Sequence, residues 1–267
     1  MRIAIGVAYD GRTFAGWQSQ PGGNTIQDRL EAALGAVADA PVRAAAAGRT
    51  DAGVHATGQV AHFDTEAVRP ETAWVRGVNA QLPEAIAVQW AQAVEAEFHA
   101  RYSATSRSYA YVLYNHPVRP SVFGGRTGWF HLPLDVDRMR AAAGVLVGEH
   151  DFSAFRSAEC QAKSPVRVLE RAAVERQGDY VVFKFTANAF LHHMIRNVVG
   201  CLVQVGKGAQ PPEWLAEVLG GRDRRRAAPT FGPEGLYLTR VTYPERWNLP
   251  RFAPMLPLFA EPRPDCA

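Results

Sequence analysis

Ile3-Ala4-Ile5-Gly6-Val7-Ala8-Tyr9, closed by Asp10-Gly11, is an apolar run of strand length ended by a turn pair. Next comes Thr25 with Asp28 three residues later, a capping box. Behind it Ile26, Leu30, Ala33, Leu34 and Val37 recur at helical spacing. Strands are expected over 42–47 and 59–63. A helix opened by Pro70 carries Trp74, Val75 and Val78, since proline's missing N–H costs nothing at the first helical position. A strand over 86–94 completes the set. The second half repeats the order: a strand over 109–114, a helix capped by Asp135 through Met139, Val145 and Leu146, and strands over 171–175 and 180–185 around Gly178-Asp179. An apolar helix over 190–205, a short helix opened by Pro211-Pro212, and a strand over 236–241 follow. Each half thus spells strand, helix, strand, strand, helix, strand, with one extra helix in the second, the split order of a ferredoxin-like α/β unit. The expected organisation is an N-terminal half over 1–105, a C-terminal half over 106–247, and a proline-rich, extended tail over 248–267.

Composition narrows the function classes. The 267 residues are 47% hydrophobic and 21% charged, which suits a globular α+β protein and excludes wholesale disorder. The longest stretch without a charged residue, Thr13 to Gln27, is rich in Gly and Gln and fits no membrane span. The N-terminus reads as a strand rather than a signal peptide. Cys160, Cys201 and Cys266 stand singly, without the spacing of a disulfide framework or zinc cage, so a reduced, cytoplasmic setting is expected. Net charge is +3 but uneven: residues 1–105 hold 8 basic and 11 acidic side chains, residues 106–267 hold 21 and 15. This is a mild lean toward nucleic acid.

Motifs for serine hydrolases, dinucleotide binding, P-loops and zincins are missing, which crosses off those chemistries. His192-His193 are adjacent; on a helix they would point about 100° apart and could not clasp one ion together. The densest polar constellation is Gly48-Arg49-Thr50-Asp51-Ala52-Gly53-Val54-His55-Ala56-Thr57-Gly58-Gln59, between two strand candidates. Taken alone, Asp51 either turns a hairpin between glycines or serves as a carboxylate kept ionised by a neighbouring cation, as a nucleophile or base requires. A glycoside hydrolase would want a second carboxylate, which the loop lacks. A non-catalytic RNA-binding module on ferredoxin-like sheets is the other alternative.

Gly48 to Ala56 resembles the signature of the tRNA pseudouridine synthase A family. So do Tyr9-Asp10-Gly11 with Phe14, Gly16-Trp17-Gln18 and Gln20; Gln59 to Phe63; Phe98-His99-Ala100-Arg101 followed by Arg107-Ser108-Tyr109-Ala110-Tyr111; His150-Asp151-Phe152 with Ala154-Phe155; Phe190 to Asn197; and Gly235-Leu236-Tyr237-Leu238. The motifs run in order over residues 1–246. The loop Ala228-Pro229-Thr230-Phe231-Gly232-Pro233 departs from the family wording.

The resemblance implies the pseudouridine synthase fold, two α/β halves forming one mixed sheet with a central cleft. It implies isomerisation of uridine to pseudouridine in the anticodon stem-loop of tRNA, at positions 38–40, without cofactor, by a homodimer that binds one tRNA across both subunits. Asp51 is then the catalytic aspartate, Arg196 the cation that opposes its desolvation, and Tyr109 the tyrosine that packs on uracil. Arg49 helps hold the extruded nucleotide out of the stack. Phe98, His99, Ala100, Arg101 and Tyr102, with Glu159, Cys160, Gln161, Ala162 and Lys163, correspond to RNA-touching regions. Beyond the resemblance, the run Arg222-Asp223-Arg224-Arg225-Arg226 is a candidate for phosphate contacts.

Overall fold

The computed structural model describes residues 1–250; the proline-rich stretch from Arg251 onward, with Cys266, lies outside the described residues. The chain falls into two compact units, Met1–Thr105 with the segment from Tyr237, and Ser106–Leu236.

In the first unit, β1 (Arg2–Tyr9) is buried from Ile3 to Tyr9, so both its faces are covered. That explains a continuous apolar run rather than an alternating one. Thr25 caps α1 (Ile26–Ala38) by accepting from the Asp28 N–H, and its hydroxyl donates to the Asp28 carboxylate at 2.6 Å. The buried face of α1 is Ile26, Leu30, Ala33, Leu34 and Ala38. β2 (Ala44–Ala46) is shorter than the apolar run suggests, and β3 (His55–Asp64) is longer, because the strand begins four residues before Gln59. The helix after Pro70 contains a widened π turn over Ala73–Gly77 before α2 (Val78–Gln81). β4 (Ile86–Val94) lies on the sequence-expected residues.

β1 pairs antiparallel with β3, Ile3 opposite Phe63, and with β4, Ile3 opposite Ala93. The other edge of β3 is shared. β2 pairs antiparallel near its end, Ala44 opposite Phe63, and β10 (Leu236–Thr242) pairs in parallel near its start, Tyr237 opposite His55. Chain order would leave β10 with the second half; from Tyr237 it belongs to the first unit.

In the second unit β5 (Ser106–Asn115) pairs in parallel with a short strand the sequence did not reveal, β6 (Gly128–Phe130). α3 (Val136–Gly144) starts at its Asp135 cap. β7 (Gly148–Asp151), β8 (Val166–Gln177) and β9 (Tyr180–Ala187) follow, and the order is β5-β9-β8-β7, all antiparallel. α4 (Met194–Gly206) is buried on nearly every side. It starts four residues later than the apolar run predicts, because His193 sits in the left-handed region at φ 61°. α5 (Trp214–Gly221) completes the unit. Among the described residues no helix is long and apolar enough to cross a membrane.

Gly58 marks the tightest approach of β3 to β10. A Cβ there would stand 2.1 Å from the Thr239 carbonyl oxygen, whereas one at Gly22 would meet nothing within 4 Å. Backbone cannot swing aside as a side chain can. Gly58→Ala is therefore expected to destabilise by about 1–3 kcal/mol, as overpacked sites do. Gly22→Ala should stay within about 0.5 kcal/mol of the parent in the same denaturant titration.

Candidate active site

The Asp51 loop runs over residues 48–54, since His55 to Gln59 are already in β3. Burial alternates sharply along it. Arg49 is exposed, Thr50 is buried at 7% exposure, Asp51 is half-buried and Ala52 is exposed. The Thr50 hydroxyl lies 2.8 Å from the Tyr9 hydroxyl at the end of β1, and its carbonyl accepts the Trp17 N–H at 3.0 Å. Gln59 donates to the Gly48 carbonyl at 2.7 Å. Beyond Asp51 the turn closes on itself, the Val54 N–H donating to the Asp51 carbonyl at 3.2 Å, with Gly53 at φ 78°. Burial pushes the Tyr9 phenol up to about 12, although Thr50 and Gln59 pull the other way, so it keeps its proton across the physiological range. Below the loop His55 is buried and stacks on Tyr237 at 4.6 Å. Its Nδ1 accepts the Gly11 N–H at 3.2 Å and stands 3.3 Å from Asp10. Burial alone would raise the Asp10 carboxyl, but the hydrogen bonds from Arg12 and the charges of His55 and Arg12 hold it below its ordinary value.

The 98–102 segment separates into anchors and presented groups. Phe98 and Ala100 are fully buried, so their side chains anchor the segment from within. The Phe98 ring packs against Tyr243 and Trp247, and the Ala100 N–H donates to His62 Nδ1 at 3.2 Å. Burial, with the charges of His99 and Arg2, lowers His62 to about 4, which keeps it a neutral acceptor for that bond. His99 Nδ1 accepts the Arg101 and Tyr102 N–H groups and organises the turn. Arg101 and Tyr102 are exposed, the guanidinium 5.6 Å from the ring centroid.

In the second unit Tyr109 lies in β5 at 9% exposure, its ring edge-to-face with Phe190 at 5.1 Å. Arg196 is half-buried in the first turn of α4. It is tied to the family-divergent loop twice: its Nε donates to the Phe231 carbonyl at 2.9 Å, and the Phe231 N–H returns to the Arg196 carbonyl at 3.2 Å. Neighbouring Asn197 is fully buried. It donates to the Phe155 carbonyl at 2.8 Å and accepts from Thr230 and Arg224 at 2.6 and 3.0 Å. The Tyr111 hydroxyl donates to the Gly232 carbonyl at 2.9 Å. Burial and then the Glu234 charge drive that phenol up, so it remains a donor. The family resemblance singles out Arg196 and Tyr109; Asn197 and Phe231 gain their weight from partners far along the chain, which no local pattern displays.

Glu159, Gln161 and Lys163 are exposed, Cys160 and Ala162 half-buried. Of the arginine run, Arg224 is spent on the Ala227 and Ala228 carbonyls, Asn197 and Thr230. Arg225 is tied to Asp223, and Arg222 stands 3.6 Å from Asp151. Most of this run thus holds the surface together, which weakens it as a phosphate site. His192 and His193 precede α4 instead of riding on it, and their rings lie 3.9 Å apart rather than diverging.

The α+β fold and the loop-borne carboxylate define a candidate enzyme, and the comparisons specify its class. The family described as tRNA pseudouridine synthase matches residues 5–103 and 142–244, and the chain belongs to that family. A protein of Thiobacillus denitrificans named tRNA pseudouridine synthase A is 60% identical over 250 residues, 94% of this chain and 96% of that one. Another of the same name, from Paraburkholderia xenovorans, is 60% identical over 249 residues, 93% of this chain and 92% of its own. Among solved structures a chain of a Cbf5-Nop10-Gar1 complex has a TM-score of 0.36 at 14% identity, covering 75% of this chain and 45% of that chain, too low for any inference.

The two described cysteines differ in a way chemistry can read. Burial pushes buried Cys201 up to about 11. Burial would also raise half-buried Cys160, but N–H groups of Ala162 and His192 and the Arg156 guanidinium outweigh it and lower the thiol. Because the thiolate is the reactive form, iodoacetamide at pH 8 should label Cys160 at least about tenfold faster than Cys201. Peptide mapping by mass spectrometry checks this, and equal rates would contradict the assigned environments.

Proposed function

We propose that the protein isomerises uridine to pseudouridine in the anticodon stem-loop of tRNA, at positions 38–40, with Asp51 as the catalytic carboxylate. The N1–C1′ bond breaks, the uracil turns, and C5 joins C1′. The proton on C5 leaves and N1 gains one, so the composition of the nucleotide is unchanged. The observation that carries this reading is Asp51 itself, a half-buried carboxylate on a loop whose neighbour Thr50 is anchored in the interior. A carboxylate that attacks or removes a proton has to be ionised, and the family resemblance assigns the compensating charge to Arg196. Tyr109 acts at the base and Arg49 on the extruded nucleotide. Exposed Arg101, Tyr102 and Lys163 meet the tRNA body, joining phosphate pairing to aromatic stacking.

The resemblance also supports a homodimer, and the singly placed cysteines support a reduced, cytoplasmic setting. Val118, Val122, Phe123, Trp129 and Leu132 expose large apolar groups along one segment of the second unit, the kind of surface a second copy covers.

Incubation with an unmodified tRNA transcript, followed by carbodiimide mapping of pseudouridine, tests the reading. Asp51→Asn keeps the shape of the side chain but loses its charge; turnover should vanish while tRNA affinity stays within about threefold of the parent. Tyr109→Phe separates stacking from proton transfer. Loss of the hydroxyl should cut the rate more than about tenfold, roughly 1.4 kcal/mol in the barrier. A smaller loss would leave only the ring's contact with the base.

A further inference from the structure

We infer that Tyr9 and Thr50 are positioning residues, a buried hydroxyl pair that sets the direction in which Asp51 is presented. The inference rests on the role proposed above for Asp51. Thr50 immediately precedes Asp51, and it alone among residues 48–52 is recorded as buried together with polar contacts from two other segments. Its hydroxyl meets Tyr9, its carbonyl meets the Trp17 N–H, and Gly16 lies against that same carbonyl. Gly16 has φ 91°, and a Cβ on it would stand 2.7 Å from the Thr50 oxygen. The Tyr9 ring is held in turn against Trp17, centroids 5.9 Å apart, and Gln59 approaches its hydroxyl at 3.5 Å while gripping Gly48 at 2.7 Å. The loop is therefore fixed on both sides of Arg49, at Gly48 and Thr50. Arg49 is left exposed, and Asp51 follows as the first residue with its side chain half in solvent.

An apolar pair of the same shape would fill this space at little cost, because removing both partners of a buried hydrogen bond is nearly neutral for stability. What the hydroxyl pair adds is direction. With the Thr50 side chain and carbonyl both held, the peptide leading into Asp51 has little rotational freedom. A displacement of about 1 Å in a reacting group can cost about a hundredfold in rate. The Tyr9 phenol, raised by burial, stays protonated and keeps the bond intact over the working pH range.

Four variants measured with Asp51→Asn test the inference: Thr50→Val, Thr50→Ser, Tyr9→Phe, and the double variant Tyr9→Phe with Thr50→Val. Thr50→Val should lower kcat about a hundredfold with KM for a tRNA transcript nearly unchanged. Thr50→Ser, which keeps the hydroxyl, should recover most of the rate. Thr50→Val alone leaves the Tyr9 hydroxyl only its long contact with Gln59 and should lower Tm. The double variant removes both partners, so its Tm should return toward the parent while kcat stays low. A double variant that regains both Tm and rate would show that the single change acted only through folding, and overturns the inference. Parental turnover in Thr50→Val beside an inactive Asp51→Asn overturns the positioning role alone. Full turnover in Asp51→Asn overturns both it and the catalytic role on which it rests.

Discussion

A loop that carries a charged residue at the edge of a dry interior has to satisfy its own buried polar atoms, and in the first unit that requirement shapes everything around Asp51. An unpaired buried donor or acceptor costs about 1–3 kcal/mol. The Thr50 hydroxyl and carbonyl and the Gly48 carbonyl all find partners, in Tyr9, Trp17 and Gln59. Those partners come from the end of β1, the segment after it, and β3. The antiparallel pairing of β1 with β3 holds two of them in register, Val7 opposite Gln59 and Tyr9 opposite Ala56. The parallel contact of β10 with the start of β3 adds Tyr237 beneath His55. Two of the three partners that hold the loop, Tyr9 and Gln59, thus sit in paired strands.

The second unit solves a similar problem with a helix. α4 buries almost every side chain, yet carries a carboxamide, Asn197, in its interior. That group is paired at both ends: it donates to one carbonyl and accepts from Thr230 and Arg224. It ties the loop before β10 to the helix one residue from Arg196, whose own Nε grips the same loop at Phe231. The loop with unfamiliar wording is thus bonded mainly through backbone groups and Thr230, which tolerates changes in the remaining side chains.

Much of the first unit was legible because the signals are local. The Thr25–Asp28 box sits where α1 starts, and the 86–94 run is β4 to the residue. Structure and local pattern part where a local signal competes with one from elsewhere. The apolar run from Phe190 suggested a helix, but the left-handed His193 delays it to Met194. The motif around Phe98 and Ala100 does not show that Trp247, Tyr243 and His62 bury or pin them from distant positions. β6 and β7, three and four residues long, carry too little periodicity to stand out from loops.

By itself the sequence determined the α+β class, the element order of the first half, the helix caps, the family resemblance and the loop bearing Asp51, because caps, turns and hydrophobic periods are written within a few neighbouring residues. Only the tertiary structure decided that β10 joins the first unit, that Thr50 is anchored while Arg49 is not, and that the arginine run is largely committed to its own surface. Each of those depends on groups brought together across the chain, Tyr9 and Thr50 being 41 residues apart. A pattern read along the chain cannot show which distant partner will satisfy a polar atom once water is gone.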